Sequence, residues 1–301
     1  MKPPSPKIPC GFCGLPSLPH GLISGSQKRP LICAAGWICV ICPGNESRGE
    51  LKKALLKAER PSVFFTVLRQ MDQLDVWFPE LKALIGVPQN PVFHAEGDVW
   101  NHTMLVLDEA AKLRSRTAHP YWFMLTALTH DFGKAVCTEE LDGVLHAYQH
   151  EILGLPIAET FLRRITQETR CIEYVLNLVE FHMKPNTVAG AGSAVKVTTR
   201  MFDQSKDPEG LICIALADDR GRITQASATD YEAFLCERLA LFREVMSRPY
   251  VLGRDLIEAG LSPGKEFTEI LAYAHKLRLA GIPKDNALKQ TLAYARKLSR
   301  K

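Results

Sequence analysis

The sequence lacks any apolar run long enough to span a membrane. A spanning helix needs about 18 apolar residues in succession, and the longest candidate, Leu31–Cys42, is shorter and contains glycine and cysteines. The first residues, Met1–Pro9, are rich in proline and lack the apolar core of a secretory signal peptide. We therefore expect a cytoplasmic protein with no membrane partner.

Strand patterns, internal repeats and phosphate-binding loops are equally scarce. The glycine-rich segment around Gly192 does not stand between a strand and a helix, so it matches neither a P-loop nor a dinucleotide fingerprint. Apolar residues instead recur at helical spacing along most of the chain. The pattern predicts an all-α protein, and 301 residues suffice for one large domain or for two to three small ones.

Positive charge is concentrated at the two ends of the chain. Residues 1–50 and 251–301 carry net charges of +3 and +5, whereas the middle carries −4. The basic tail, Lys284–Lys301, contains Tyr294 between cationic residues and is a candidate for contact with the phosphate backbone of tRNA or another RNA. A solvated helix face explains the same charges.

Five of the nine cysteines lie in the first 42 residues. Four of them form two pairs of the type C-x-x-C, Cys10 with Cys13 and Cys39 with Cys42. Each pair supplies two thiolates on one tight turn, and four thiolates complete a tetrahedral zinc shell. So small a segment cannot bury enough apolar surface to fold alone, so the zinc would stabilise it. A redox pair or two unrelated turns are the alternatives.

The rest of the chain is predicted as helices joined by loops. The predicted helices begin at Glu50 and Pro61 and continue with Pro79–Ile85, a helix after Trp100, Tyr121–Phe132, Tyr148–Arg163, Glu168–His182, Lys196–Asp203, Gly210–Asp219 and Ala226–Ser247. The predicted loops are Val87–Phe93, Val136–Val144 and Asn186–Thr198. Gly133 is predicted to end the central helix as a C-terminal glycine.

Polar side chains stand at or near the ends of several predicted helices: His102, His130, Asp131, His150, His182 and Asp218. The helix Tyr121–Phe132 has a wide apolar face and is expected to be interior. The pair His130–Asp131 at its end therefore needs a partner or a cation. Imidazole with carboxylate is a good ligand set for a divalent metal. A lone histidine on an apolar face is more often a core residue, but that explanation suits an ordered set poorly.

The order of these residues, with H-D-F-G-K at the centre, resembles the HD superfamily of metal-dependent phosphohydrolases. The resemblance is closer to the HD domain of bacterial CCA-adding tRNA nucleotidyltransferases and covers residues 50 to about 285. The similar segments are 94–108, 128–134, His150–Gly154, 180–182 and 217–222, with flanks at 60–89 and 253–267. The nucleotidyltransferase head, with its glycine-serine motif and carboxylate pair, has no counterpart in the sequence, so CCA addition is not carried over.

The resemblance implies a metal-dependent phosphohydrolase of the phosphodiesterase, nucleotidase or phosphatase kind. It implies that His102, His130, Asp131 and Asp218 are the core metal ligands. His150 and His182 match positions that bind a second metal or the phosphate. Mixed nitrogen and oxygen ligands suit Mn, Ni, Co, Fe or Mg. Such an ion lowers the pKa of its water and screens the phosphoryl oxygens, and Asp131 or a hydroxide between two ions would supply the nucleophile.

Further residues are candidates for catalysis or for binding a nucleotide, a 2′,3′-cyclic phosphate or an RNA end. Lys134, beside the His130–Asp131 pair, is a catalytic candidate that would contact phosphate, as would Arg220 and Arg222. For each of these three residues, a charge that interacts with a helix C-terminus is the alternative explanation. His94 and Glu96 would line the mouth of the pocket, or would only make local loop bonds.

The predicted organisation has four parts: a zinc module at 1–48, a helical neck at 49–92, an HD domain at 93–248 and a basic helical segment at 249–301. The first part resembles the zinc-binding domain of the ClpX unfoldase, with an insertion between Gly25 and Ile38. That resemblance implies protein docking or homodimerisation. The alternative function is a non-catalytic relic of a CCA-adding enzyme that binds RNA or protein, but the complete ligand set favours an enzyme.

Overall fold

The computed structural model describes residues 45–224 and 231–298 of the chain, and side chains from residue 48. The chain divides into two units, Met1–Pro43 and Gly44–Lys301, and the described residues all belong to the second. The predicted zinc ligands, Cys10, Cys13, Cys39 and Cys42, lie outside the described residues, so the zinc module stays a prediction. In the described ranges, no helix combines the length and the apolar character that crossing a membrane requires.

The predicted all-α fold is confirmed. In the described ranges the chain forms seventeen α-helices, one 3₁₀ turn and one short hairpin. The first four helices are α1 (Asn45–Lys57), α2 (Ser62–Gln70), α3 (Leu74–Trp77) and α4 (Pro79–Lys82). Helix α1 packs against the central helix α6, and α2 against α5. Arg114 donates from Nη1 to the carbonyl oxygen of Ala58 (2.9 Å), which satisfies a carbonyl at the end of α1.

Nine helices form the centre of the molecule: α5 (Val99–Leu113), α6 (Pro120–Thr129), α7 (Lys134–Cys137), α8 (His150–Leu153), α9 (Leu155–Ile165), α10 (Thr169–Phe181), α11 (Lys184–Gly190), α12 (Val195–Gln204) and α13 (Pro208–Arg220). The 3₁₀ turn, Arg114–Arg116, follows α5. Helices α5, α6 and α13 pack against one another. Every residue of α6 from Phe123 to Thr129 is buried, which confirms the predicted interior position.

A hairpin replaces the predicted loop over Val136–Val144. Strands β1 (Glu139–Leu141) and β2 (Val144–His146) pair antiparallel, with Glu139 opposite His146. Asp142 and Gly143 form the turn with φ angles of 52° and 77°. Asp-Gly is a strong signal for a two-residue hairpin turn, so the loop prediction overlooked it.

Two further predictions need correction. Tyr148–Arg163 is not one helix, because the chain breaks at Gly154 between α8 and α9, with Pro156 in the first turn of α9. Asn186–Thr198 is not a loop, because α11 continues to Gly190 and α12 begins at Val195. The small side chains of α11 give little helical polarity, and burial of Pro185 and Ala189 stabilises that helix instead.

The last four helices are α14 (Glu232–Ser247), α15 (Gly253–Glu258), α16 (Phe267–Leu279) and α17 (Lys284–Leu298). Helices α15 to α17 enclose their own apolar core, which includes Leu256 and Ile270. Thr199 of α12 donates from its hydroxyl to the carbonyl of Leu279 in α16 (2.9 Å). Tyr294 of the basic tail stacks on Tyr273, with ring centroids 4.3 Å apart. The RNA contact of this tail stays a prediction.

A buried hydrogen bond joins α10 to the start of α13. Tyr174 donates from its hydroxyl to Asp207 Oδ2 (2.8 Å), and Asp207 caps α13 by accepting from Gly210 N (2.9 Å). Burial, then the negative charge of Asp207, raises the pKa of Tyr174. The phenol therefore stays a donor near neutral pH.

We expect Tyr174→Phe to lower the free energy of unfolding by about 1–3 kcal/mol, because the buried Asp207 carboxylate loses its donor. Urea unfolding followed by circular dichroism measures this change. The matched control is Tyr250→Phe at an exposed position, which should change stability by less than about 0.5 kcal/mol. Equal effects of the two substitutions would contradict the expected role of the bond.

Candidate metal centre

The structure brings together the six side chains that the sequence singles out as metal ligands. They come from five places in the central bundle: His102 from α5, His130 and Asp131 from the end of α6, His150 from α8, His182 from the end of α10 and Asp218 from α13. Each of them is at most 6% exposed. Their role as metal ligands stays a prediction, whereas their convergence is a property of the fold.

One group of candidate ligands surrounds His102. Its Nε2 lies 3.0 Å from Asp218 Oδ1 and 3.6 Å from Asp131 Oδ2. His130 Nε2 lies 3.2 Å from the same Asp131 oxygen. One ligand atom from each of His102, His130 and Asp131 lies within 4.8 Å of the other two. One cation at this point would therefore meet two imidazoles and two carboxylates.

A second group shares Asp131 with the first. Its other carboxylate oxygen, Oδ1, lies 3.3 Å from His150 Nε2, and His150 Nε2 lies 3.3 Å from His182 Nε2. Asp131 thus faces one group with Oδ2 and the other with Oδ1. A carboxylate in that position can bridge two divalent ions, as in two-metal hydrolytic sites.

Three histidines direct the same ring nitrogen toward this centre. His130, His150 and His182 each place Nδ1 against the carbonyl three residues earlier, at 2.9, 2.9 and 2.6 Å. Because Nδ1 faces a carbonyl in each ring, Nε2 is the nitrogen that each histidine would offer to a cation. Nε2 of His150 and Nε2 of His182 lie 3.3 Å apart, so one cation could contact both.

An unsatisfied buried atom also fits a metal site. Among the described residues, Nε2 of His130 is buried and makes no hydrogen bond, although Asp131 Oδ2 lies 3.2 Å away. A buried polar nitrogen without a partner is costly, and coordination of a divalent ion would remove that cost. The donor set, the ring orientation and this orphan nitrogen therefore all fit a divalent metal.

The charges around both carboxylates of the centre favour their ionised form. Burial would raise the pKa of Asp131, but the positive charges of His130 and Lys134 outweigh it and hold the pKa well below its usual range. Burial likewise would raise the pKa of Asp218, but Arg222 and then His102 outweigh it. The negative charge that a divalent cation requires is therefore present.

The pKa values of two of the imidazoles are shifted in opposite directions. Burial, with repulsion from His130 and His150, lowers the pKa of His182 to about 3. Burial also lowers the pKa of His130, but the negative charge of Asp131 outweighs it and the net shift is upward. Coordination through His130 would therefore displace a proton.

A close backbone approach fixes the distance between α8 and the end of α6. The sequence predicts that Gly133 ends α6 as a left-handed C-terminal glycine. This prediction is wrong, because the φ angle of Gly133 is −64°. Its lack of a side chain has another reason. A Cβ atom at Gly133 would lie 2.0 Å from the carbonyl oxygen of His150, and one at Gly154 would lie 2.8 Å from Gly133 N. The two glycines therefore let His150 approach Asp131.

The centre opens into a cleft of about 580 Å³. Lys134 and Arg222, two of the predicted phosphate contacts, line this cleft together with Asp131 and Asp218. Lys134 Nζ lies 2.7 Å from Asp131 Oδ2, and Arg222 forms an ion pair with Asp218. His94 also lines the cleft. The cleft therefore combines the candidate metal ligands with two cationic side chains.

Two residues that the sequence predicts as substrate contacts, Glu96 and Arg220, pair with other groups of the protein. The carboxylate of Glu96 accepts from His94 Nδ1 (2.8 Å), His102 Nδ1 (2.9 Å) and Ile223 N (3.0 Å). These donors occupy both oxygens, so the geometry favours a positioning role for Glu96 over contact with substrate. Arg220 pairs with Glu232 (2.6 Å) and does not line the cleft, so its substrate contact stays a prediction.

Comparison with known proteins shows that part of the chain is similar to multifunctional CCA proteins. No protein-family model matches it. The multifunctional CCA protein of Mannheimia succiniciproducens is 34% identical over 185 residues, which are 58% of this chain and 42% of that protein. The multifunctional CCA protein of Halorhodospira halophila is 30% identical over 264 residues, 84% of this chain and 59% of that protein.

The similarity covers only part of this chain and only part of each relative. The multifunctional CCA protein of Pasteurella multocida is 32% identical over 217 residues, 70% of this chain and 50% of the relative. The chain spans about half the length of the curated relatives it matches. It therefore contains a domain that is related to part of the multifunctional CCA proteins.

We expect Gly133→Ala to weaken Mn²⁺ binding by about 10–100-fold, because the added methyl group separates Asp131 from His150 and so disturbs the ligand set. Isothermal titration of the purified protein with MnCl₂ measures the affinity. Gly253→Ala is the control, because no atom lies within 4 Å of a Cβ at that position. A folded Gly133→Ala protein that binds Mn²⁺ as tightly as the wild type would contradict this account.

The sharing of Asp131 leads to a second expectation about metal content. His182→Ala removes a ligand from one group only, so we expect bound Mn²⁺ to fall from two equivalents to one. Asp131→Asn affects both groups and should lower both affinities. Elemental analysis after equilibrium dialysis gives the stoichiometry, with His119→Ala, an exposed histidine, as the control. Retention of two tightly bound equivalents in His182→Ala would contradict a role of His182 in holding one of them, and a single equivalent in the wild type would contradict two ion positions.

Proposed function

We propose that the chain is a metal-dependent phosphohydrolase that acts on a nucleotide, a 2′,3′-cyclic phosphate or an RNA end. The observation that carries the proposal is the convergence of imidazole nitrogens and two ionised carboxylates, Asp131 and Asp218, at the floor of one cleft. Such a centre has the ligands for a divalent metal and an open side for substrate.

His102, His130, His150, His182, Asp131 and Asp218 would hold the metal. A bound divalent ion supplies a water of lowered pKa and positive charge for the phosphoryl oxygens. Glu96 fixes the ring of His102 through Nδ1 (2.9 Å), so that Nε2 points at Asp218 (3.0 Å). This arrangement orients the candidate ligand before any substrate arrives.

Lys134 and Arg222 would bind the phosphate. Both line the cleft and both contact a carboxylate of the centre. A metal that neutralises Asp131 and Asp218 would leave these two cations available to an anionic substrate. Positive groups placed at the transferring phosphoryl group stabilise the charge that develops there.

The related proteins support the same general chemistry. Part of the chain is related to multifunctional CCA proteins, and the motifs resemble the HD domain of CCA-adding tRNA nucleotidyltransferases. A substrate that contains a nucleotide, including one at the end of a tRNA, agrees with both observations. We therefore place the proposed substrate among nucleotides and RNA ends.

Hydrolysis of bis-p-nitrophenyl phosphate and of 2′,3′-cAMP, with Mn²⁺ or Ni²⁺ added, tests the proposal. We expect turnover that depends on the metal, and we expect Asp131→Asn to lower kcat/KM at least about a thousandfold. The matched control is Asp285→Asn, which changes an exposed carboxylate of the tail and should retain activity.

The opposite result would favour a protein without catalytic activity. If no metal supports turnover of either substrate, and tRNA binding is the same for the wild type and Asp131→Asn, the chain is better described as an RNA-binding relic of a CCA-adding enzyme.

A further inference from the structure

A buried glutamine in the cleft has an unused hydrogen-bond donor. Gln89 lies on the loop between α4 and α5 and is 8% exposed. Its Oε1 accepts a hydrogen bond from Lys134 Nζ (2.9 Å). Lysine only donates, so the oxygen of the amide must face it. The other end of the amide, Nε2, is buried and meets no hydrogen-bond acceptor in the part of the chain that the structure describes.

The position of Gln89 relates this donor to the candidate metal centre. Gln89 lines the same cleft as Asp131 and His150. The Lys134 ammonium that contacts Gln89 Oε1 also lies 2.7 Å from Asp131 Oδ2. Gln89 is thus linked through the Lys134 side chain to a candidate metal ligand, Asp131. Buried donors without partners are rare in folded proteins and commonly have a functional reason, and an anionic oxygen is the acceptor that a site of this charge would receive.

Exposed apolar side chains are concentrated beside the cleft. Two segments that contribute residues to its walls, 90–93 and 136–148, contain six of the fifteen large apolar side chains that are exposed in the described chain: Val92, Phe93, Val136, Leu141, Val144 and Tyr148. Phe93 and Val144 line the cleft itself. Apolar surface concentrated beside a polar cleft is typical of a binding site for the organic part of a ligand.

Flat aromatic faces form part of these walls. Phe93 lines the cleft and is 51% exposed. His146, which also lines it, stacks on Tyr148 with ring centroids 4.8 Å apart and an interplanar angle of 11°. Exposed aromatic rings are the surfaces on which nucleobases stack in proteins that bind single nucleotides or single strands.

The charge of the hairpin limits the size of the ligand. Glu139, Glu140 and Asp142 are exposed carboxylates on or beside the strands, and the hairpin from residue 139 to residue 146 contains no lysine or arginine. A polyanionic nucleic-acid backbone that crossed the hairpin would be repelled. A single nucleotide, free or at the end of a chain, avoids this repulsion.

We propose that Gln89, Phe93 and the His146–Tyr148 stack form a nucleoside-phosphate subsite. Gln89 Nε2 donates to a phosphate oxygen, and the aromatic faces hold the base. The location of the phosphate rests on the proposed function. Gln89 is the last residue of the similar segment 60–89, but the sequence assigns it no role, because a lone glutamine in a proline-containing loop does not differ from any other polar loop residue.

Equilibrium binding tests the subsite without relying on turnover. The probes are the phosphonate analogues of AMP and of ribose 5-phosphate, in which a CH₂ group replaces the ester oxygen so that neither is hydrolysed. Isothermal titration of the full chain in MnCl₂ should give at least about tenfold tighter binding of the nucleoside analogue. A single-stranded oligonucleotide should bind no more tightly than the AMP analogue.

Two variants separate the phosphate contact from the base contact. Gln89→Ala should weaken both analogues by about tenfold or more and leave their affinity ratio unchanged. Phe93→Ala should bring the ratio close to one and leave the ribose analogue within about twofold of the wild type. Gln89→Glu, which keeps the shape but loses the donor, should weaken both analogues at least as much as Gln89→Ala.

Controls and opposing outcomes distinguish this proposal from the proposed function. Gln204→Ala and Tyr250→Ala change exposed residues that do not line the cleft and should bind like the wild type. If both Gln89 variants and Phe93→Ala also bind like the wild type while metal-dependent hydrolysis persists, the subsite is wrong and the proposed function stands. If the binding pattern is as expected but no substrate is hydrolysed, the subsite stands and the hydrolase is wrong.

Discussion

The rest of the centre depends on the contacts that the Asp131 carboxylate makes with the surrounding imidazoles. It is buried at the end of an interior helix, and its two oxygens face different sets of imidazoles. Burial alone would favour the protonated form, so the positive charges of His130 and Lys134 decide its ionisation. The fold therefore concentrates negative charge and imidazole nitrogens at one buried point, where a divalent cation would find ligands of both kinds.

The helical bundle provides this arrangement with simple local geometry. Three of the histidines stand at helix ends or starts, where a carbonyl three residues earlier accepts from Nδ1. The same local bond therefore orients three rings from three different elements. The long-range part of the design is the packing of α5, α6 and α13, which brings His102 and Asp218 to the end of α6.

The sequence predicts the residues of the centre better than it predicts the cleft. Helical periodicity identifies the all-α fold and the interior position of α6, and the motifs single out the six side chains that converge. The sequence does not predict that the Glu96 carboxylate accepts from three donors. Nor does it predict that Arg220 pairs with Glu232 or that Gln89 is buried. Those properties depend on contacts between residues far apart in the chain, which periodicity and short motifs do not contain. The break at Gly154 has the same origin.

The contact between Gly133 and Gly154 has a consequence for how the protein tolerates change. Main-chain atoms meet there directly, so the spacing between the end of α6 and α8 does not depend on the size of neighbouring core side chains. Substitutions in the surrounding apolar layers can then accumulate without moving Asp131 relative to His150. The exposed hairpin is equally free to vary. Reactivity and selectivity can therefore diverge independently among proteins that share this bundle.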